Sequence, residues 1–235
     1  MPKLSGITAV ERPPTLSRRA YLQIQQAIRD GAIRQEVLYS ENELAETLGM
    51  SRTPVREALI SLSREGLVAI ESQRGFRLRR LSASERQEVF DLRSLLEGHC
   101  ARRLAETATE DDVRRLNELI DGQRIEGAAG RMPEFLALDE EFHLVQAELL
   151  GLERTRATMV SLRGAMWLIG FEALALPHRH ENVVAEHRAI VDAIERRDPD
   201  AAEAAAKAHI ATTATAVRES ENDQAGQNSV GEPQA

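Results

Sequence analysis

Four side chains that commonly bind metal ions stand at spacings that can bring them together: Asp139, His143, His187 and His209. Asp139 and His143 lie four residues apart, so on a helix they share one face and can hold a common ion. His187 precedes Asp198 by 11 residues, and His209 follows it by 11. If the flanking segments form an antiparallel helical hairpin, both imidazoles stand about 16 Å from the turn. The spacing predicts one cluster of three nitrogens and one carboxylate.

This donor set favours zinc and is also compatible with nickel, manganese, iron or cobalt, more than with magnesium or calcium. Positions left open on the ion would admit water or a ligand carboxylate. The sequence contains no Ser-His-Asp order, phosphate loop or dinucleotide fingerprint, so the ion is expected to be structural or ligand-holding. From spacing alone, the alternative is that these histidines are ordinary core or surface groups, because no HEXXH-like motif occurs.

The elements that must position the cluster are helices. Beyond Leu81, apolar residues recur at helical spacing, and neither a strand pattern nor an internal repeat is visible. Breaks are predicted at the Gly-Ala-Ala-Gly run of residues 127–130, at Pro177 and at Asp198-Pro199. The later helices are predicted over residues 132–150, 152–174, 181–197 and 199–217. Polar residues 219–235 predict a disordered tail.

Residues 40–67 predict a different kind of element, a helix-turn-helix. Ser40 is a helix N-cap, Gly49 suits a left-handed turn, and Val55 begins the apolar stripe of the second helix. Arg52, Thr53 and Arg56 fall in the first turns of that helix, at the end that meets base edges in DNA-bound helix-turn-helix proteins. The alternative is an ordinary helical hairpin with a solvated arginine face.

A short hairpin is predicted after the helix-turn-helix, with strands at residues 67–70 and 76–79. Arg74 and Gly75 lie at its tip, where a wing can approach phosphates or the minor groove. The alternative is a plain surface hairpin. Residues 1–14 contain three prolines and predict a flexible arm.

Charge divides the chain in the same way. Residues 1–80 carry a net charge of +4, whereas residues 81–235 carry −12. A basic head can neutralise phosphates while an acidic body avoids non-specific contact with DNA. A single cysteine excludes an intrachain disulfide, and no apolar run approaches the length of a membrane span. We therefore expect a cytoplasmic protein that does not enter the membrane.

Residues 16–80 resemble the DNA-binding domain of GntR-type bacterial regulators. The matching positions are Leu44-Ala45, Gly49, the SRTPVREAL run of residues 51–59, Glu65-Gly66-Leu67 and Gly75-Phe76. The resemblance implies that Arg52, Thr53, Arg56 and Gly75 contact DNA. Gln35-Glu36 replaces the family's usual Pro-Gly, and Asn42 stands where some members have a DNA-contacting arginine, so the operator sequence does not transfer.

Residues 82–217 resemble the all-helical FCD effector domain of the FadR-like branch. In that branch an Asp-x-x-x-His and two later histidines bind a divalent metal, and Asp139, His143, His187 and His209 match them in order. The resemblance also implies that Arg93 lies near the pocket, where it can pair with an anionic ligand. An internal Arg93–Glu97 helix pair is the alternative.

Together these observations predict a mainly α-helical protein. A winged helix-turn-helix of three helices and a β-hairpin at residues 15–80 precedes an all-α effector, metal-binding and dimerisation domain at residues 81–218. The expected function is a homodimeric transcription regulator, by default a repressor, that binds palindromic double-stranded operator DNA and a small carboxylate effector.

Two other functions remain open at this stage. The first is a metal-dependent enzyme fused to a nucleic-acid-binding head, since an open histidine-rich site can activate water. Its candidate bases are Glu140 and Glu141, which are expected to be solvated helix carboxylates. The second is an architectural DNA-binding protein without an effector.

Overall fold

The computed structural model describes residues 13–35, 37–174 and 176–229. The chain divides into two compact units, a head that ends at Leu78 and a body that follows from Arg79. Residues 65–67 are grouped with the body. Most of the predicted arm lies outside the described residues. Within the described residues, no helix is long and apolar enough to cross a membrane.

Helices dominate both units, as predicted. The elements in chain order are α1 Leu16–Arg29, α2 Glu41–Thr47, α3 Arg52–Arg64, β1 Val68–Glu71, β2 Gly75–Leu78, α4 Ala83–Thr107, α5 Glu110–Ala128, α6 Met132–Leu149, α7 Glu153–Ser161, α8 Arg163–Ala173, α9 Arg179–Glu195 and α10 Pro199–Ser229.

The head is a helix-turn-helix supported by α1. The N-cap of α2 is Ser40, whose hydroxyl accepts the backbone N–H groups of Asn42 and Glu43. Gly49 adopts the predicted left-handed conformation with φ +61°, which lets the chain turn directly into α3. α1 packs on α3, and Ile24 and Leu59 are buried in the head. The exposed start of α3 is thereby held on a packed support.

The wing is the predicted antiparallel hairpin, with Val68 opposite Leu78 and Glu71 opposite Gly75. It is also joined to the segment before α2, because Tyr39 and Phe76 exchange two backbone hydrogen bonds of 2.8 and 2.9 Å. Their rings stack with centroids 5.6 Å apart. The wing and the helix-turn-helix therefore share one continuous backbone network.

The body is a helical bundle in which α10 packs on α4 and α9, and α5 packs on α6 and α9. Leu104, Ile120, Phe142, Val145 and Ile190 contribute fully buried side chains to its core. α4 begins with a capping box between Ser82 and Glu85. The packing of α6, α9 and α10 in one bundle brings three helices that carry the predicted ligand residues into the same interior.

Two predicted boundaries in the body were wrong. The helix predicted over residues 152–174 is divided at Leu162 into α7 and α8. There the Leu162 N–H bonds to the Met159 carbonyl in a tighter turn, and the poor helix former Gly164 follows. The tail predicted from residue 219 is helical as far as Ser229, because extending a formed helix costs little. Residues 230–235 lie outside the described residues.

Candidate metal centre and nucleic-acid interface

The structure brings together all four predicted ligand residues. α6 carries Asp139 and His143, α9 carries His187, and α10 carries His209. The three histidines are almost completely buried, and they offer ligand nitrogens within 4.8 Å of one another. Asp139 completes the group, since its two carboxylate oxygens each lie 3.7 Å from a histidine Nε2, one from His143 and one from His187.

The outer nitrogens of His187 and His209 each have their own hydrogen-bond partner. His187 Nδ1 lies 2.9 Å from the Gln123 side-chain oxygen, and His209 Nδ1 lies 2.7 Å from a Glu186 oxygen. These acceptors assign the proton to Nδ1, which leaves Nε2 as a lone-pair donor. His187 Nε2 is buried and has no hydrogen-bond partner. Metal-binding histidines have the same arrangement, in which partners behind the ring fix its tautomer and orientation.

His143 differs because an arginine reaches its inner nitrogen. Its Nδ1 lies 2.8 Å from Glu97 Oε2, and its Nε2 lies 3.1 Å from Arg93 Nη2. Arginine can only donate, so this contact also assigns the Nε2 lone pair. Arg93 and a metal ion would compete for that lone pair. Arg93 also donates from Nε to Glu97 Oε1 at 2.6 Å, so the helix pair considered as an alternative is present within the site.

Burial keeps two of the imidazoles, those of His187 and His209, in the protonation state that suits an ion. Burial lowers the pKa of His187 well below 6.5, and the nearby rings of His209 and His143 lower it further. Burial likewise lowers the pKa of His209, although the hydrogen bond to Glu186 opposes the shift. Both imidazoles are therefore neutral at neutral pH, as ligands must be. Burial would raise the pKa of Glu97, but Arg93 and His143 lower it overall.

A narrow cavity lies beside the cluster. Arg93, Asp139, His209, Arg179 and Thr213 supply polar lining, and the remaining wall includes Phe135, Leu136, Met166 and Val183. The space is partly open and mostly apolar, with a few converging polar groups, which is typical of a small-molecule site.

One expectation about this region was wrong. Glu140 was expected to be solvated, but it is only 7% exposed and lines the cavity. Trp167 donates from its indole nitrogen to Glu140 at 3.1 Å. Gln123, Glu186 and Arg179 also belong to this region and carried no signal in the sequence.

In the head, the residues predicted to contact DNA surround two neighbouring hollows. Arg52, Arg56, Arg74 and Gly75 line the first hollow, together with Asn42. Thr53 lines the second beside Arg52 and Arg56. The side chains of Arg52, Thr53, Arg56 and Arg74 are exposed. Arg56 donates to Glu41 at 3.0 Å, so one arginine of this surface is held by a carboxylate of α2.

Gly75 has a structural role that the sequence did not reveal. Its φ is +132°, and a Cβ added there would lie 2.0 Å from the Tyr39 carbonyl oxygen. Any side chain at this position would push the wing away from the segment that leads into α2. Glycine is therefore required for the head to close on itself, whether or not its backbone also touches DNA.

A winged helix-turn-helix with exposed arginines at the start of its second helix defines a DNA-binding regulatory protein. Comparisons with known proteins agree. Residues 16–78 match the bacterial regulatory proteins of the gntR family, and residues 88–212 match the FCD domain. The chain therefore belongs to the gntR family with an FCD domain, and it is a transcriptional regulator rather than an enzyme.

Relatives extend over most of the chain. The HTH-type transcriptional repressor NanR of Cronobacter sakazakii is 34% identical, over 83% of this chain and 82% of that protein. The HTH-type transcriptional repressor RspR of Escherichia coli is 28% identical, over 77% of this chain and 79% of its own. Among solved structures, Escherichia coli McbR/YncC has the same fold, with a TM-score of 0.74 at 18% identity over 88% of this chain and 99% of that one.

Proposed function

We propose that this regulator is a homodimeric repressor that releases its operator when a small carboxylate binds in a metal-containing cavity of the body. In this proposal, residues 15–80 bind DNA and residues 81–218 bind the metal, the effector and the second subunit. The observation that carries the proposal is the buried cluster in which His143, His187 and His209 present ligand nitrogens within 4.8 Å. Relatives named as repressors support repression rather than activation of transcription.

On the DNA side, Arg52, Thr53 and Arg56 would enter the major groove, and Arg74 would reach the adjacent backbone, with the Gly75 backbone beside it. A two-fold dimer presents two such surfaces, so its operator is palindromic. We expect the protein to bind this operator in the cytoplasm.

The DNA test uses fluorescence anisotropy on the promoter of the protein's own gene. Arg52→Ala and Arg56→Ala should each weaken specific binding by roughly 1–3 kcal/mol. Arg114→Ala is the matched control, because it removes an exposed, ion-paired arginine from the body. Equal affinity for the wild type and both head variants would exclude this surface as the reader. Sedimentation of the complex should give two chains per operator.

On the metal side, Asp139, His143, His187 and His209 would hold one divalent ion, with zinc preferred and nickel, manganese, iron or cobalt compatible. The unpartnered Nε2 of buried His187 supports this assignment, because a buried polar atom normally has a partner. When bound, the ion would supply an open coordination position for an effector oxygen. Gln123, Glu97 and Glu186 would keep the rings oriented.

Elemental analysis tests the metal directly, on protein purified without chelators or metal-affinity resin. We expect about one ion per chain, lost in His187→Ala. His178→Ala is the control, since that imidazole is 76% exposed and lies at the start of α9 outside the cluster. A metal content near zero in the wild type would overturn the metal assignment while leaving DNA binding intact.

The effector is proposed to be a small organic acid, with one carboxylate oxygen on the ion and the rest of the molecule near Arg93. A thermal-shift screen of mono- and dicarboxylates, with and without chelator, should identify acids that stabilise the body. Any such acid should then lower operator affinity. An architectural protein without an effector would give no shift with any acid, and that outcome would remove the sensing role.

A further inference from the structure

Arg179, the first residue of α9, is almost fully buried at the wall of the cavity. Its two terminal nitrogens donate to both oxygens of Glu186, at 2.7 and 2.9 Å. Nη2 also donates to the Thr213 hydroxyl at 2.9 Å. This guanidinium is therefore fixed in position by α9 itself and by α10.

One donor of this fixed group is unused. Arg179 Nε is buried, and among the described residues it has no hydrogen-bond partner. A buried N–H without an acceptor is uncommon and needs an explanation, such as an ordered water or a bound ligand that supplies the acceptor. Because Arg179 lines the cavity, a molecule that enters there can supply the missing acceptor.

The carboxylate that holds Arg179 also holds a proposed metal ligand. Glu186 Oε2 accepts from Arg179 Nη2 and lies 2.7 Å from His209 Nδ1. An acceptor behind a ligating imidazole increases the basicity of the opposite nitrogen. Arg179, Glu186 and His209 thus form a continuous chain of charge-assisted hydrogen bonds from the cavity wall to the cluster.

We propose that Arg179 is the receptor for an effector carboxylate, and that Glu186 transmits binding at Arg179 to the metal affinity of His209. The coupling rests on the metal and effector roles proposed above. A carboxylate at Nε offsets part of the guanidinium charge, so Glu186 accepts more strongly from His209 and the ion binds more tightly. By linkage, the ion tightens carboxylate binding by the same factor.

The cavity also limits the ligand class. Phe135, Leu136 and Met166 provide apolar wall, while oxygen-binding groups occur at Arg179 and at the proposed metal site. The favoured ligand is an organic acid with two oxygen-bearing ends joined by a short apolar body. One end accepts from Arg179, and the other faces the histidine cluster.

The first experiment tests the carboxylate receptor without the metal. Full-length, chelator-treated protein is titrated with acetate against chloride at matched ionic strength, and the melting temperature is recorded. Wild-type protein should show a saturable rise that Arg179→Lys loses, because lysine keeps the charge but has no Nε–H. Arg188→Lys is the control, since that arginine lies on the same helix and pairs with Asn117 and Asp121.

Two outcomes would overturn the proposed role of Arg179 as a carboxylate receptor: no saturable acetate effect on the melting temperature of the wild type, or an unchanged effect in Arg179→Lys. In either case the acceptor for Nε would be a water molecule. Because this arm contains no metal, its result is independent of the metal proposal. If Arg179→Lys unfolds, Thr213→Val tests the same anchor: it should weaken acetate binding several-fold, and an unchanged affinity would count against the receptor.

The second experiment tests the coupling with Glu186→Gln. Zinc affinity is measured by competition with a chromogenic chelator, with and without acetate. Wild-type protein should bind zinc more tightly in acetate, whereas Glu186→Gln should bind zinc about 10-fold more weakly and lose most of the acetate effect. An undiminished acetate effect in Glu186→Gln would refute transmission through Glu186, even if the protein binds both zinc and acetate.

Discussion

Head and body each hold an arginine with a glutamate, but they do so in opposite surroundings. In the head, the side chains of Arg56 and Glu41 are 58% and 12% exposed, whereas in the body those of Arg93 and Glu97 are 6% and 3% exposed. An ion pair whose arginine is in solvent is worth little and can exchange partners, so a DNA phosphate or base can replace Glu41 at Arg56. A buried pair is costly to break, because the remaining charge has no solvent. The head can therefore exchange partners at its arginines, while the body keeps its own in place.

The sharpest test of this contrast removes the glutamate from each pair. We expect Glu97→Ala to lower the free energy of unfolding of the body by about 3–5 kcal/mol, because Arg93 remains as a buried unpaired charge. Glu41→Ala, the same change in the head, should cost less than about 1 kcal/mol. Urea denaturation in the presence of chelator measures both. Similar costs would show that the two pairs do not differ as their burial indicates.

Acid should affect the body before any loss of its carboxylate pairs. His187 and His209 have folded-state pKa values below 6.5, so the folded body binds fewer protons than the unfolded chain. Their stabilisation is complete above pH 6.5 and is lost as the pH falls towards the folded-state pKa, by up to about 1.4 kcal/mol per pH unit for each ring. Glu97 and Glu186, with lowered pKa values, add to the loss below about pH 4.5.

Chelator-treated protein unfolded in urea at several pH values measures that slope. His187→Gln should flatten it between pH 6.5 and 5.5, and the exposed control His178→Gln should leave it unchanged. An equal slope in wild-type protein and His187→Gln would mean that proton uptake elsewhere controls acid stability.

The close approach of Gly75 to the Tyr39 backbone should make the head sensitive to replacement of this glycine. Gly75→Ala should destabilise the head by roughly 2 kcal/mol, because it combines a positive φ with the close approach to Tyr39. Gly31→Ala is the control, since Gly31 also has a positive φ but no neighbour within 4 Å of an added Cβ, and it should cost about 1 kcal/mol. If both variants lose the same stability in thermal unfolding, only the positive φ of Gly75 matters, and its contact with Tyr39 does not.

The smallest effect on stability is expected for Glu41→Gln, which should instead change DNA recognition. Removing a carboxylate from the hollow should raise affinity for unrelated duplex a few-fold, and freeing Arg56 should lower the ratio of specific to non-specific binding. Glu57→Gln removes the same charge from the neighbouring hollow and leaves the Arg56–Glu41 pair intact. If both variants behave alike in anisotropy titrations, charge alone explains the change.

Spacing along the chain predicted that the four candidate ligand residues could lie together, and in the structure they do. Asp139 and His143 are one helical turn apart, and His187 and His209 are equidistant from Asp198, so an antiparallel pairing of α9 and α10 places both imidazoles at the same height. The helix-turn-helix and the wing were also predictable, because the cap, turn and strand residues that specify them lie close together in the chain.

The supporting residues were not predictable from spacing. Glu186 is adjacent to His187, yet neighbouring residues on a helix point in different directions, so it supports His209 on α10 instead. Gln123 reaches His187 from α5, a contact set by helix packing and rotation. Glu140 was expected to be an ordinary solvated helix carboxylate, because its partner Trp167 lies 27 residues further along the chain on another helix.

The contact between Tyr39 and Phe76 fixes the distance between the wing and the helix-turn-helix. Two backbone hydrogen bonds and a ring stack connect the wing to Tyr39 in the segment before α2, so the wing and the helix-turn-helix approach DNA as one piece. A head with this fixed spacing tolerates little variation in the distance between adjacent grooves of the DNA. Operators that differ only in the stiffness or twist of uncontacted base pairs should therefore differ in affinity.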